Sequence, residues 1–328
     1  MRKLSTAALA WTTLIATWLL IIQGAVVRAT GSGAGCGSHW PTCNGQVIPL
    51  AHSTESLIEF SHRLLSLAIL AFGSWLWIRA FRERRDNPGL FVFASAAFVF
   101  LIFEALLGAA TVLLGLTGDN VSVGRGLMVA THLVNSLLLV GTSSIAAVYA
   151  GAGRRLWPLR LSRQGLLTGV LGFGLAGMLV LMFSGGIAAM GDTMFPTDSL
   201  QAGLVQDFSP NAHLMVRLRV LHPLIALVVG VYLFVSLGLA WWLKPVPAAR
   251  RLARALFGVY VAQLLLGALN WWFLAPIVLQ LLHLSTATLA FGLLAALSVT
   301  ALGSEAVPVG RSAEPVVSLR APSAKKEV

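Results

Sequence analysis

The sequence predicts an all-α polytopic membrane protein, with eight transmembrane helices forming two four-helix bundles related by a pseudo-twofold axis. Three observations lead there. Of 328 residues, 57% are hydrophobic and only 11% charged, less than half the share of about 25% that a soluble domain carries. The apolar residues fall in eight stretches of about 20, the length a helix needs to cross a hydrocarbon layer roughly 30 Å thick. The basic residues gather in alternate gaps between those stretches, the asymmetry that orients membrane helices.

The first span lies near 7–27. Arg2 and Lys3 before it imitate a signal peptide, but the run is long enough to cross and no small-residue cleavage site closes it, so it is expected to be retained. The remaining spans are placed near 58–80, 90–115, 126–149, 165–190, 216–243, 254–273 and 277–302. Arg79, Arg82, Arg84 and Arg85 follow the second span. Arg154, Arg155, Arg160 and Arg163 follow the fourth, and Lys244, Arg250, Arg251 and Arg254 follow the sixth. Arg311, Arg320, Lys325 and Lys326 close the chain. With eight spans all these clusters share one side with Arg2 and Lys3, which puts both termini in the cytoplasm of a plasma-membrane protein. Glu55, Asp119, Asp192, Asp198 and Asp207 fall on the opposite side. The net charge of +11 is therefore a topology signal and not a nucleic-acid surface. The Ala-, Pro- and Ser-rich segment 304–328 is expected to be a disordered cytoplasmic tail.

The two halves resemble each other, which divides the chain into an N-terminal bundle, 1–150, and a C-terminal bundle, 151–303. The third span reads Glu104-Ala-Leu-Leu-Gly108-Ala and the seventh Gln263-Leu-Leu-Leu-Gly267-Ala. The first span ends near Gln23-Gly24-Ala-Val-Val and the fifth near Ser184-Gly185-Gly-Ile-Ala. Four spans separate the copies, so the repeat is parallel, with its axis along the membrane normal.

His39, His52 and His213 fall in loops, whereas His62, His132, His222 and His283 each fall near the start of an even-numbered span. One membrane histidine is readily a packing contact. Four at one depth, two in each half, point to a function. Two imidazoles from neighbouring helices can hold a metal or a haem iron from both faces. A bare metal recruits further ligands, often carboxylates; a macrocycle that supplies four nitrogens needs only two axial groups. Ser61, Ser66, Gly108, Thr131, Ser136, Gly267, Ser285 and Thr286 would let a planar ring approach the backbone, and Arg28, Arg63, Arg125, Arg217 and Arg219 stand near the water boundary, where haem propionates need partners or where arginines snorkel.

Glu59 lies three residues before His62 and shares its helix face. It is a proton relay beside the haem or a helix-end acid favoured by the macrodipole. Glu104 lies inside the third span, where an acid is costly and calls for a hydrogen-bonding neighbour. Cys36 and Cys43, with six residues between them in the first outer loop, do not have zinc-finger spacing. They suit a disulfide on an oxidising face, either a structural staple or a redox pair.

The stretch Arg28-Ala-Thr-Gly-Ser-Gly-Ala-Gly-Cys36, then Trp40-Pro-Thr-Cys43 and Glu59-Phe-Ser-His62-Arg63, resembles the start of haem A synthases. The segments Thr131-His132, Leu221-His222-Pro223 and Leu282-His283-Leu284 fit the same family, so the resemblance covers all eight spans. It implies oxidation of the C8 methyl of haem O to a formyl group by successive hydroxylations and loss of water from a geminal diol. It implies that His222 and His283 hold haem B as cofactor and that His62 and His132 face the substrate haem, with Arg28 and Arg63 at that site. It also implies that Glu59 is the essential carboxylate and that Cys36 and Cys43 are the cysteine pair of one bacterial branch. The partners implied are haem O, haem O synthase (protohaem farnesyltransferase), cytochrome oxidase assembly and an electron donor. Glu104 departs from the glutamine expected there. The alternatives are a b-type electron-transfer cytochrome, disfavoured because all four histidines lie on one side, and a two-repeat transporter, disfavoured because no span is broken near the midplane.

Overall fold

A computed structural model of the chain describes residues 4–49, 53–244 and 246–304. The tail expected over 304–328 lies outside those residues beyond Ser304, as do Arg2, Lys3 and His52. Among the described residues eight helices are long and apolar enough to cross a membrane, and the molecule is a multi-pass all-α membrane protein.

Helix starts follow local chemistry. Ser5 caps α1 (Thr6–Ala29) by accepting the Ala8 N–H at 3.1 Å. Ser53 caps α2 (Thr54–Arg82) through the Ser56 N–H. Asn87 caps α3 (Pro88–Leu113), whose first residue is a proline with no N–H to satisfy. Ser122 caps α4 (Val123–Ala152) in the same way. After α5 (Gly165–Met194) comes a short helix in the following loop, α6 (Leu200–Asp207). It is too short and too polar to show as a span in the sequence.

The sixth span, expected as one helix over 216–243, is two: α7 (Leu214–Arg219) and α8 (Leu221–Leu243), parted at Val220. Pro223 explains the break, because its missing N–H removes the partner of the Arg219 carbonyl and its ring crowds that turn. The break lies near the end of the span and not at its centre. Two further helices, α9 (Pro247–Trp272) and α10 (Ile277–Gly303), complete the chain.

Packing follows chain order. Helix α1 lies on α2 and α4, α2 on α3, and α3 on α4; further along, α5 lies on α8 and α10, α8 on α9, and α9 on α10. The contact between the two halves runs along α4 against α5 and α10, with α1 also touching α10. Small residues permit it: a Cβ on Gly186 would lie 2.8 Å from the Ala130 Cα, so α4 and α5 meet backbone to backbone there. The side chains sort for lipid. On α1 the interior holds Thr13 and Thr17 while Trp11, Ile15 and Leu19 face outward. Thr13 donates to the Leu9 carbonyl, which satisfies its hydroxyl inside the bundle.

Candidate functional site

The site is built at the end of the bundle that carries the Cys36–Cys43 loop. His62, His132, His222 and His283 lie six to nine residues inside the first residue of their spans, hence about 9–14 Å along the helix axis. Each ring rests against a glycine of the preceding odd-numbered span. A Cβ on Gly24 would lie 3.1 Å from Cε1 of His62. A Cβ added at Gly108 would lie 3.7 Å from the same atom of His132, one at Gly185 2.9 Å from that of His222, and one at Gly267 2.9 Å from that of His283. These are the glycines of the aligned repeat motifs. An alanine at Gly185 or Gly267 would force the imidazole aside, so the bare backbone forms the floor on which each ring lies.

Polar residues of the odd-numbered spans orient the rings, again in matched pairs. Gln23 Oε1 lies 3.0 Å from His62 Nδ1, and Ser184 Oγ lies 3.0 Å from His222 Nδ1. Gln23 directly precedes Gly24 and Ser184 directly precedes Gly185. The other two histidines are held at Nε2: His132 by Glu104 Oε1 at 3.2 Å, and His283 by Gln263 Nε2 at 3.2 Å. Sequence reasoning missed Gln23 and Ser184 as histidine partners. Their signal was there, a polar residue at the same place in both copies of an apolar helix.

The rings of His222 and His283 have centroids 6.3 Å apart and planes 88° to one another. Two imidazole nitrogens about 2.0–2.1 Å from one metal place their ring centres at about this separation. His283 Nδ1 is buried and has no hydrogen-bond partner, a cost that native structures seldom carry without a purpose. Among the described residues no group of three or more His, Cys, Asp or Glu could hold a bare metal ion. Paired imidazoles on glycine floors fit a group that brings its own equatorial nitrogens.

Cys36 and Cys43 form a disulfide with Cα atoms 4.4 Å apart. The carboxylate of Glu59, 3% exposed, ties this loop to α2. Its Oε2 accepts the Cys36 N–H at 2.8 Å and its Oε1 pairs with Arg63 at 2.5 Å. Arg63 also donates to the carbonyls of His39 and Thr42 at 2.7 and 2.5 Å. Glu59 and His62 share a helix but serve different neighbours, the carboxylate the loop and the imidazole α1. Arg28 reaches from α1 to Thr193 Oγ1 at 2.6 Å and Gln280 Oε1 at 2.7 Å, bridging the two halves. Arg125 donates to the carbonyls of Gly118 and Asn120. Arg219 binds Asp207, Gln206 and Asp192 and so clamps α6.

The profile of the COX15-CtaA family, described as cytochrome oxidase assembly protein, matches residues 7–295. A protoheme IX farnesyltransferase of Thermus thermophilus is 43% identical over 316 residues, covering 94% of this chain and 51% of the relative. A heme A synthase of Bacillus licheniformis is 40% identical over 130 residues, 38% of this chain and 39% of the relative. One of Alkalihalophilus pseudofirmus is 39% identical over 109 residues, 31% of this chain and 35% of the relative. The chain thus spans about half the length of the Thermus relative.

Proposed function

The chain belongs to the COX15-CtaA family of cytochrome oxidase assembly proteins, and on that footing we propose that it oxidises the C8 methyl of haem O to the formyl group of haem A. Similarity to heme A synthases supports the reaction. The observation that carries it to particular residues is the set of four histidine–glycine pairs, two in each half.

In this reading residues 1–150 and 151–303 are two bundles with distinct tasks. His222 and His283 would hold haem B in the C-terminal bundle. His62 and His132 face the substrate haem in the N-terminal bundle. That haem B would supply one-electron storage and transfer. Everything else is done by side chains. Ser184 and Gln23 orient the imidazoles through Nδ1, the outer-shell role that fixes tautomer and ring plane. Glu59 is placed to hold or pass a proton at its carboxylate oxygens, and Arg63 keeps it beside the disulfide loop. Arg28 and Arg63 are the cations assigned to the substrate side, and Arg28 couples the two halves through Thr193 and Gln280.

The protein then works in the plasma membrane with both termini cytoplasmic, as the basic clusters argue. It takes haem O from a farnesyl-transferring enzyme and passes its product to cytochrome oxidase assembly, drawing electrons from a separate donor. The Thermus relative, named for farnesyl transfer to protohaem, supports that neighbourhood.

The test is extraction of haem from the purified full-length chain, identified by mass. Haem B together with haem O or haem A is the expected result. Haem B alone would overturn the substrate assignment and leave a b-type electron-transfer cytochrome.

A further inference from the structure

The two bundles match where their histidines lie and differ just below. Eleven residues inward from each histidine, or from the glycine it rests on, the four spans of each half contribute one layer to the interior, about 16 Å further along the axes. In the N-terminal half the layer is Thr13, Gly73, Ala97 and Ser143. At the same count in the C-terminal half it is Gly174, Leu233, Leu256 and Leu294. All eight are buried. The C-terminal layer holds twice as many side-chain heavy atoms as the N-terminal one.

The packing follows that difference. Leu233 and Leu294 close over the bare backbone of Gly174, where an added Cβ would lie 3.2 and 3.7 Å from their Cδ2 atoms. In the N-terminal half all four residues of the layer line a narrow void of about 10 Å³, which continues up to Thr17, Leu101 and Leu139. Those three stand seven residues from the level of the histidines and their glycines, about 10 Å along the axes. Leu101 leans over Gly73, with its Cδ2 only 2.5 Å from where a Cβ on that glycine would be. As it stands the void is smaller than an isoprenoid chain. Leucine has other staggered rotamers, and turning Leu101 off Gly73 is the movement that widens the void along α2.

This void lies on the inward side of the proposed substrate haem. Haem O carries its propionates on one edge and its farnesyl-bearing carbon on the opposite edge. With the propionates at the water boundary, the tail starts at the inward edge of the ring and enters the bundle. Lipid is as apolar as the core, so the path is set by where the tail starts and by the space it meets. Haem B has only a vinyl group at that carbon, and the leucines of the C-terminal layer leave it no need of more.

We propose that the layer of Thr13, Gly73, Ala97 and Ser143 receives the isoprenoid tail of the substrate haem, while Leu233, Leu256 and Leu294 close the equivalent path, so that core volume sorts the tailed haem into the N-terminal bundle and the tailless one into the C-terminal bundle. This rests on the proposed haem sites and adds the residues that choose between the two haems.

The experiment extracts and quantifies the haems, per chain and by mass, from full-length protein purified from cells that make both haem B and haem O. Gly73→Leu and Ser143→Leu each copy the C-terminal residue. Each should lower haem O and haem A together by about tenfold or more, with haem B per chain unchanged. Undiminished haem O and haem A beside unchanged haem B would overturn the proposal. Gly73→Leu presses on Leu101, so where haem B is lost as well the unmodified chain decides. A haem O analogue with a photoactivatable diazirine at the end of its tail should label residues of this layer, read by peptide mass. Label at Leu64 or Leu67, on the outward face of α2, would place the tail in lipid and overturn the proposal. Absence of haem O and haem A from the unmodified protein would instead overturn the underlying reading of the histidines.

Discussion

Replacing Glu59 by glutamine tests the connection between the site and the disulfide loop. The Glu59 carboxylate holds the Cys36 N–H with one oxygen and the Arg63 guanidinium with the other. Glutamine keeps one acceptor, but its amide NH₂ then faces a donor in place of the second. Arg63 retains its carbonyl partners at His39 and Thr42, so the guanidinium is not stranded. The loss is that of one charge-assisted hydrogen bond, about 1.5–3 kcal/mol. Cys36 and Cys43 are 0% and 1% exposed, so a reductant reaches the sulfurs only when the loop lifts. That cost corresponds to roughly 10- to 150-fold more frequent opening, at 1.36 kcal/mol per decade. The assay is the rate of disulfide reduction in detergent-solubilised protein, trapped by alkylation and read by mass. Glu55→Gln, at an exposed acid in the first turn of the same helix, is the control, because solvent screens its interaction with the helix dipole. Equal reduction rates in the two variants would refute the anchoring role. The haem profile of the same cells examines the catalytic role. Glu59→Gln should keep haem B and accumulate haem O or a hydroxylated intermediate, and normal haem A output would leave Glu59 with the loop alone.

Alanine at His222 or His283 should each lower haem B content, because one of two axial nitrogens is lost; unchanged content in both, measured by pyridine haemochrome, would remove them as ligands. Gly185→Val should displace the His222 ring, since even a Cβ would lie 2.9 Å from its Cε1, so haem B should fall while the chain still inserts and purifies. Gly169→Val, at a position with nothing within 4 Å of an added Cβ, should leave haem content unchanged; equal content in the two variants would contradict the floor role. Arg28→Gln should lower thermal stability by about 1–3 kcal/mol through the loss of charged hydrogen bonds to Thr193 and Gln280, and a melting temperature unchanged in a scanning assay would show that Arg28 does not tie the halves together.

Membrane burial made much of this protein legible in advance. Twenty-residue apolar runs can be little else than helices when no water is present to satisfy a backbone, so all eight spans were readable, with most ends displaced by up to four residues and the start of the seventh, Pro247 against the expected 254, by seven. Ionisable groups are rare in such runs, and His62, His132, His222, His283, Glu59 and Glu104 stood out for that reason. The repeat Gln23-Gly24 against Ser184-Gly185 was visible as letters, but its meaning was not, because which glycine floors which imidazole depends on how neighbouring helices are rotated about their axes. The same is true of Glu59. Spacing placed it on the face of His62, and only the fold of the loop brought the Cys36 N–H to its carboxylate. The split at Val220 needed the backbone too, since Pro223 can kink, break or merely cap a helix. Composition and periodicity act along one chain segment, and they set the elements and the residues worth watching. Partner choice acts between segments distant in sequence, where a rotation or shift of one residue exchanges every contact, and there the packing of α1 to α10 decides.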